Sequence, residues 1–203
     1  MDSKAFLVPV ALVAACAGAA HAQQGYPSKP VRFVVPFAPG GTTDIVARFV
    51  GQKLGEELGA QFVVDNRGGA GGTIGTDITA KAAPDGYTLM LNHVGVTYNV
   101  TMYRKLPYDT LKDLQPISLV GTTPNVMVVN PGLAVKTVRD LVELGRAKPG
   151  QIGYGTGGIG SSAHLSVEMF MQLSGAKFLQ VPYKGAGPAL TDTISGQVQF
   201  MIA

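Results

Sequence analysis

The sequence predicts an α/β fold with parallel-rich sheets and helices on both faces. Three observations carry this. Runs rich in β-branched residues alternate with stretches of helical period, the connections between them are short, and glycine and proline cluster where the runs end. Val31 to Asn92 reads β-α-β-α-β, and short crossovers of that kind imply parallel strands covered by helices. A second alternation runs from Gln151 to Ala203.

The elements follow in order. Val31–Phe37 is a strand ended by Pro39-Gly40-Gly41. Thr42 to Leu58 carries Ile45, Val46, Phe49, Val50, Leu54 and Leu58 at three- and four-residue steps, the signature of a helix. Thr42 or Thr43 is its expected N-cap, with Asp44 suited to the positive helix end. Gln61–Asn66 is the next strand, followed by a glycine-rich turn, a helix around Ile74–Ala83, a Pro84-Asp85-Gly86 turn and a strand over Tyr87–Asn92. Residues 99–115 are less regular, and Ile117–Val120 and Val126–Asn130 read as extended. Thr137 caps a helix to Ala147, with Asp140 and Glu143 early and Arg146 late. Gln151–Gly155, Phe178–Val181 and Gln197–Ala203 are strands, and Gly160–Ser174 and Ala186–Ser195 are helices. The last strand pattern stops without a closing helix or polar tail, which predicts a shortened chain.

The 203 residues suit two small α/β units. Hydrophobic residues make up 46% and charged residues 14%, so a packed core is available and disorder is excluded. The net charge of +3 comes from basic residues scattered along the chain, such as Arg32, Lys81, Arg104 and Lys184. Nucleic-acid binding needs clustered charge and is set aside. Beyond the N-terminus there is no apolar run long enough for a membrane span.

Residues 1–22 read as a secretory signal peptide: Lys4, an apolar stretch from Ala5 to Ala20, and a small-x-small ending at Ala20-His21-Ala22. Val13-Ala14-Ala15-Cys16 also resembles a lipoprotein lipobox, with Cys16 as the lipid-bearing residue; the competing reading makes Cys16 an ordinary small residue of the leader. Cleavage after Ala22 leaves no cysteine, hence no disulfide, thiolate nucleophile or cysteine metal site.

Three glycine loops could carry chemistry. In Pro36-Phe37-Ala38-Pro39-Gly40-Gly41-Thr42-Thr43-Asp44 a strand runs into glycines and a helix N-terminus, where free N–H groups bind anions; a tight capped turn explains it equally well. Asn66-Arg67-Gly68-Gly69-Ala70-Gly71-Gly72-Thr73 invites close approach by a ligand or by another loop. Gly155-Thr156-Gly157-Gly158-Ile159-Gly160 matches the dinucleotide fingerprint, but positions 169 to 191 hold no Asp or Glu for a ribose, so no nucleotide cofactor is expected. What remains is a donor-rich helix N-terminus suited to a small carboxylate. Ser161, Ser162 and His164 suggest a secreted Ser/His hydrolase as the alternative, but Ser162 and His164 are two apart and there is no G-x-S-x-G elbow. His93 and His164 form no metal-ligand spacing. Lys184, in Tyr183-Lys184-Gly185, could add positive charge to an anion site or be a solvated loop lysine. Asn99-Val100-Thr101 matches a glycosylation sequon, discounted because the leader looks bacterial.

Taken together, these stretches resemble the Bug (TctC-like) family, the periplasmic solute receptors of tripartite tricarboxylate transporters. The resemblance rests on Tyr26-Pro27-Ser28-Lys29-Pro30, the 36–44 loop, Val64-Asp65-Asn66-Arg67, Ala80-Lys81-Ala82-Ala83-Pro84-Asp85-Gly86-Tyr87-Thr88-Leu89, Leu106-Pro107-Tyr108-Asp109, Asn125-Val126 to Asn130-Pro131, the 155–164 stretch, Val181-Pro182-Tyr183-Lys184-Gly185, Gly187-Pro188-Ala189-Leu190-Thr191-Asp192 and Gly196-Gln197-Val198. It implies a two-lobed, type II periplasmic-binding-protein-like fold, with one lobe in 23–121, the second in 122–203, and an incomplete C-terminus. The implied protein is no enzyme and needs no cofactor or metal. It works in the periplasm, holding a small organic acid between its lobes for membrane transporter subunits of the tripartite tricarboxylate type. By position, Phe37, Gly40, Gly41, Thr42, Asp44, Asn66, Gly69, Gly71 and His93 serve the first lobe, and Gly157, Gly158, Ser161, Ser162 and His164 the second. Family members run on past the equivalent of Ala203, usually with an acidic residue just after this strand.

Overall fold

The computed structural model describes residues 25–203. The expected leader and Cys16 lie outside the described residues. Among those described, no helix is long and apolar enough to cross a membrane.

The first sheet has the order β2-β1-β3, all parallel, from β1 (Val31–Val35), β2 (Phe62–Asn66) and β3 (Thr88–Met90). Successive side chains of a strand face opposite ways, and β1 uses both faces. Phe33, Val35 and Phe37 join Ala47 and Val50 of α1 (Thr42–Leu58) in one cluster. Gly51 brings α1 so close that a Cβ there would touch Phe33 and Phe62 at 3.4 Å. On the other face α2 (Thr73–Ala80) lies over Pro36 through Gly75.

The second sheet has the order β4-β7-β5-β6, from β4 (Met127–Val129), β5 (Gly153–Thr156), β6 (Leu179–Pro182) and β7 (Phe200–Ile202). Only the β4–β7 pair is antiparallel. Tyr154 faces a core with Phe200, Phe178, Leu141 of α4 (Val138–Ala147) and Val167 of α5 (Ser162–Ser174). Phe178 meets Phe200 edge-on at 4.8 Å. The next residue, Gly155, faces the other way and meets Ala189 of α6 (Ala186–Ser195). Parallel-rich sheets with helices on both faces are what the alternation predicts.

Four local expectations change. The N-cap of α1 is Gly41, not Thr42 or Thr43, and no side chain bonds there; the Asp44 carboxylate instead reaches back to the Gly40 N–H at 3.0 Å. The helix expected from Gly160 starts at Ser162, because the Ser161 hydroxyl caps it by accepting the His164 N–H at 3.2 Å. Residues 95–102, unassigned or irregular by pattern, form a helix, α3 (Gly95–Met102). Ile117–Val120 forms no strand; among the described residues no backbone pairs with it, and Ile117 and Leu119 are each 80% exposed.

Candidate functional site

The expected site residues fall at the C-terminal ends of parallel strands, on the loops that follow them or in the first turn of the next helix. In such sheets this is where ligands bind. β1 delivers Phe37 into a buried position, stacked on the His93 ring with centroids 4.5 Å apart. Asn66, at the end of β2, donates through Nδ2 to Phe37 O at 3.0 Å and to Asp44 Oδ1 at 2.9 Å. Asp44 is 3% exposed. Its Oδ2 takes the Gly40 N–H, and Arg48, one turn along α1, pairs with it at 2.9 Å and also donates to Asn66 Oδ1. Burial pushes the Asp44 pKa up, but the bonds from Arg48, Gly40 and Asn66 outweigh it and hold the carboxyl below its usual value. Asp44, Asn66 and Gly40 therefore form a closed network that shapes the β1–α1 loop. Thr42 is exposed in the first turn of α1, and Gly41 meets Ala186 and Gly187 of α6.

Burial lowers the pKa of both His93 and His164. His93 accepts the Gly95 N–H on Nδ1 at 2.8 Å, and burial lowers its pKa to about 4. A neutral ring accepting on Nδ1 carries its proton on Nε2, so His93 offers an uncharged donor. His164 accepts the Gly160 N–H on Nδ1 at 3.3 Å, and Nε2 faces Glu168 at 3.6 Å. Burial lowers its pKa, with the Glu168 charge opposing. Among the described residues no hydrogen bond joins the His164 ring to Ser161 or Ser162. A nucleophilic serine needs that bond to its base, so the hydrolase arrangement is not assembled here. Nor do the described residues contain a group of three or more His, Cys, Asp or Glu able to hold a metal.

The two sheets present these loops to each other. Ala38 N–H donates to Lys184 O at 2.9 Å across the seam. Gly71 packs against Ile159 so tightly that a Cβ would collide with its carbonyl oxygen, and a Cβ on Gly158 would lie 3.0 Å from Gly71 N. Gly157 faces Gly185, and Gly160 faces Asn99 of α3. Gly69 is buried in the 66–72 loop and accepts the Gly72 N–H at 3.0 Å. Thus the α1 N-terminus meets the α6 N-terminus, while the turn before α5 meets the 70–71 turn and α3. Pattern reasoning did not assign Arg48, Asn99, Tyr103, Gly185 or Gly187 to the site. Arg48 could have been found from its i, i+4 spacing to Asp44; Asn99 and Tyr103 carry no local signal.

Two α/β lobes whose strand C-terminal ends face each other across glycine loops define a periplasmic-binding-protein architecture. The tripartite tricarboxylate transporter family receptor (TctC) profile matches residues 46–203, and the chain belongs to that family. Protein BugT of Bordetella pertussis is 41% identical over 202 residues, spanning 98% of this chain and 62% of BugT. The periplasmic binding protein BugD has a solved structure 38% identical, with a TM-score of 0.84 over 87% of this chain and 59% of BugD. MatC from Rhodopseudomonas palustris, solved with bound malate, is 32% identical with a TM-score of 0.83, covering 87% of this chain and 60% of MatC. The chain thus spans about 60% of the length of the relatives it matches.

Proposed function

We propose that this chain forms the ligand-gripping part of a periplasmic receptor for a small organic carboxylate. Exported through residues 1–22, with Cys16 a second route to the envelope, it hands its ligand to membrane subunits of a tripartite tricarboxylate-type transporter. The observation that carries this reading is the convergence of five loops, 36–41, 66–72, 93–95, 156–161 and 183–187, on one seam between two lobes. Capture requires the lobes to part. The ligand then replaces the loop-to-loop contacts, and the helix N-termini behind Thr42 and Ser162 favour its negative charge. His93 adds a donor through Nε2 without adding charge. Membership of a receptor family and a relative solved with malate support a dicarboxylate.

Thermal-shift measurements on the purified chain with malate, succinate, adipate and citrate test it. A ligand at a hundred times its Kd stabilises by about 2.7 kcal/mol, which raises Tm by about 5–10 °C for a chain this size. A shift with at least one acid, and none with the matching amide, is the expected result. No shift with any of the four acids overturns the proposal.

A further inference from the structure

The Tyr103 hydroxyl has one proton and two carbonyl oxygens within reach. It lies 2.8 Å from Ala70 O, on the lobe of the first sheet, and 3.0 Å from Ile159 O, on the lobe of the second. One O–H cannot serve two acceptors at full strength, so the proton is shared between a contact inside one lobe and a contact across the seam. Tyr103 stands just past α3, with its N–H still bonded to Asn99 O at 3.1 Å, which keeps it on the same side as Asn99 four residues earlier.

Asn99 is 1% exposed. Its Nδ2 donates to Gly71 O at 3.2 Å, while its Oδ1 is buried with no partner among the described residues. That oxygen faces Gly160 so closely that a Cβ there would collide with it. An acceptor buried without a donor costs free energy that water would restore. The closed seam therefore carries a bias toward opening, located at Asn99, and a bond that opposes it, located at Tyr103.

We propose that Tyr103, positioned by Asn99, sets how long the two lobes stay closed, by moving its proton between Ala70 O and Ile159 O. When the lobes part, Ile159 O turns to water and the hydroxyl keeps Ala70 O, so opening strands no donor. Closing restores the bond across the seam without reorienting the ring. Gly158 and Gly160, at φ +108° and +83°, bracket Ile159 and turn its carbonyl toward the first lobe; residues with a Cβ rarely adopt this backbone shape. In its effect on ligand this inference rests on the receptor reading above; the lobe contact itself is measurable without ligand.

The test is amide hydrogen exchange by NMR on the ligand-free chain. The Ala38 N–H, donated across the seam to Lys184 O, reports closure, and the Gly72 N–H, donated to Gly69 O, reports the 66–72 loop alone. In Tyr103→Phe the protection of Ala38 should fall by about fivefold, the worth of one hydrogen bond, with that of Gly72 kept within about twofold. Unchanged protection at Ala38 overturns the proposal, and so does a parallel loss at Gly72, which would make Tyr103 a support of its own loop. In stopped flow, malate should leave the variant about fivefold faster while its association rate holds. An unchanged dissociation rate beside reduced Ala38 protection overturns the claim on dwell time. If malate does not bind the parent, the ligand reading loses this support, and the Ala38 arm still decides the lobe contact.

Discussion

Asp44 shows how a buried carboxylate, bonded to its neighbours, holds the shape of a site loop. Its two oxygens meet Gly40, Asn66 and Arg48, and Arg48 supplies the opposite charge beside the buried carboxylate. Arg48→Ala leaves that carboxylate uncompensated and should cost about 2 kcal/mol in urea unfolding, reduced from the fully buried case because Arg48 is itself half exposed. The carboxyl's pKa is lowered, so this contribution is complete above the unfolded value near 3.8 and is lost as pH falls through the lower folded value. His93 titrates in a higher window. Folded, it stays neutral down to about pH 4, whereas the unfolded chain binds a proton near 6.5. Stability is therefore full above pH 6.5 and falls between 6.5 and 4, by on the order of 3 kcal/mol for this shift. His164, also lowered, adds in the same direction. His93→Asn, whose Oδ1 stands where Nδ1 accepts the Gly95 N–H, should flatten most of that slope in urea titrations at pH 7, 5.5 and 4.

At the scale of elements, helix caps separate stability from site. Thr137 accepts the Asp140 N–H while Asp140 accepts the Thr137 N–H, a complete capping box that no hydrogen bond among the described residues ties to the seam loops. Ser161 caps α5 and lies at the seam. Thr137→Ala and Ser161→Ala should each cost about 1 kcal/mol, and only Ser161→Ala should also weaken carboxylate binding by isothermal titration. Equal affinities in the two variants would remove Ser161 from the site. The Thr137 cap was readable because both partners sit within four residues, and α1, α4 and α6 were readable from period and flanking glycines. The α3 helix was not. Its stretch Gly95-Val-Thr-Tyr-Asn-Val-Thr-Met has β-branched residues and no apolar stripe, and it is fixed by burying Gly95 and Asn99 against the other lobe. Ile117–Val120 failed in the opposite sense, a strand composition with no backbone beside it. The site followed the same division. Glycine runs announced close approach, but the Phe37–His93 stack and the Asn66–Asp44 bond join residues far apart in sequence, and depend on sheet register that local pattern does not encode.

Across the described residues, the two lobes meet mostly through backbone, with the Tyr103 hydroxyl and the Asn99 side chain reaching across the seam. Each sheet has its own core, around Phe33 and Val35 in one and Tyr154 and Phe200 in the other, while the seam between them is built from glycine loops and carbonyl contacts. Hydrophobic burial scales with apolar area, so the cores hold the lobes and little of that force holds the seam. Opening should then be separable from unfolding. Gly185 offers the cleanest place to ask. Its φ of 166° is ordinary extended backbone, so alanine meets no conformational penalty there, yet the new Cβ would lie 2.8 Å from Ala38 N and 3.2 Å from Ala38 Cβ on the opposite lobe. Gly185→Ala should therefore increase the radius of gyration in small-angle scattering and weaken carboxylate binding about tenfold or more, with urea stability changed by less than about 0.5 kcal/mol. A variant as compact as the parent would show that the seam can shift to accept a methyl group. A large loss of stability would show that the lobes fold as one unit and that closure is part of the folded state rather than a motion within it.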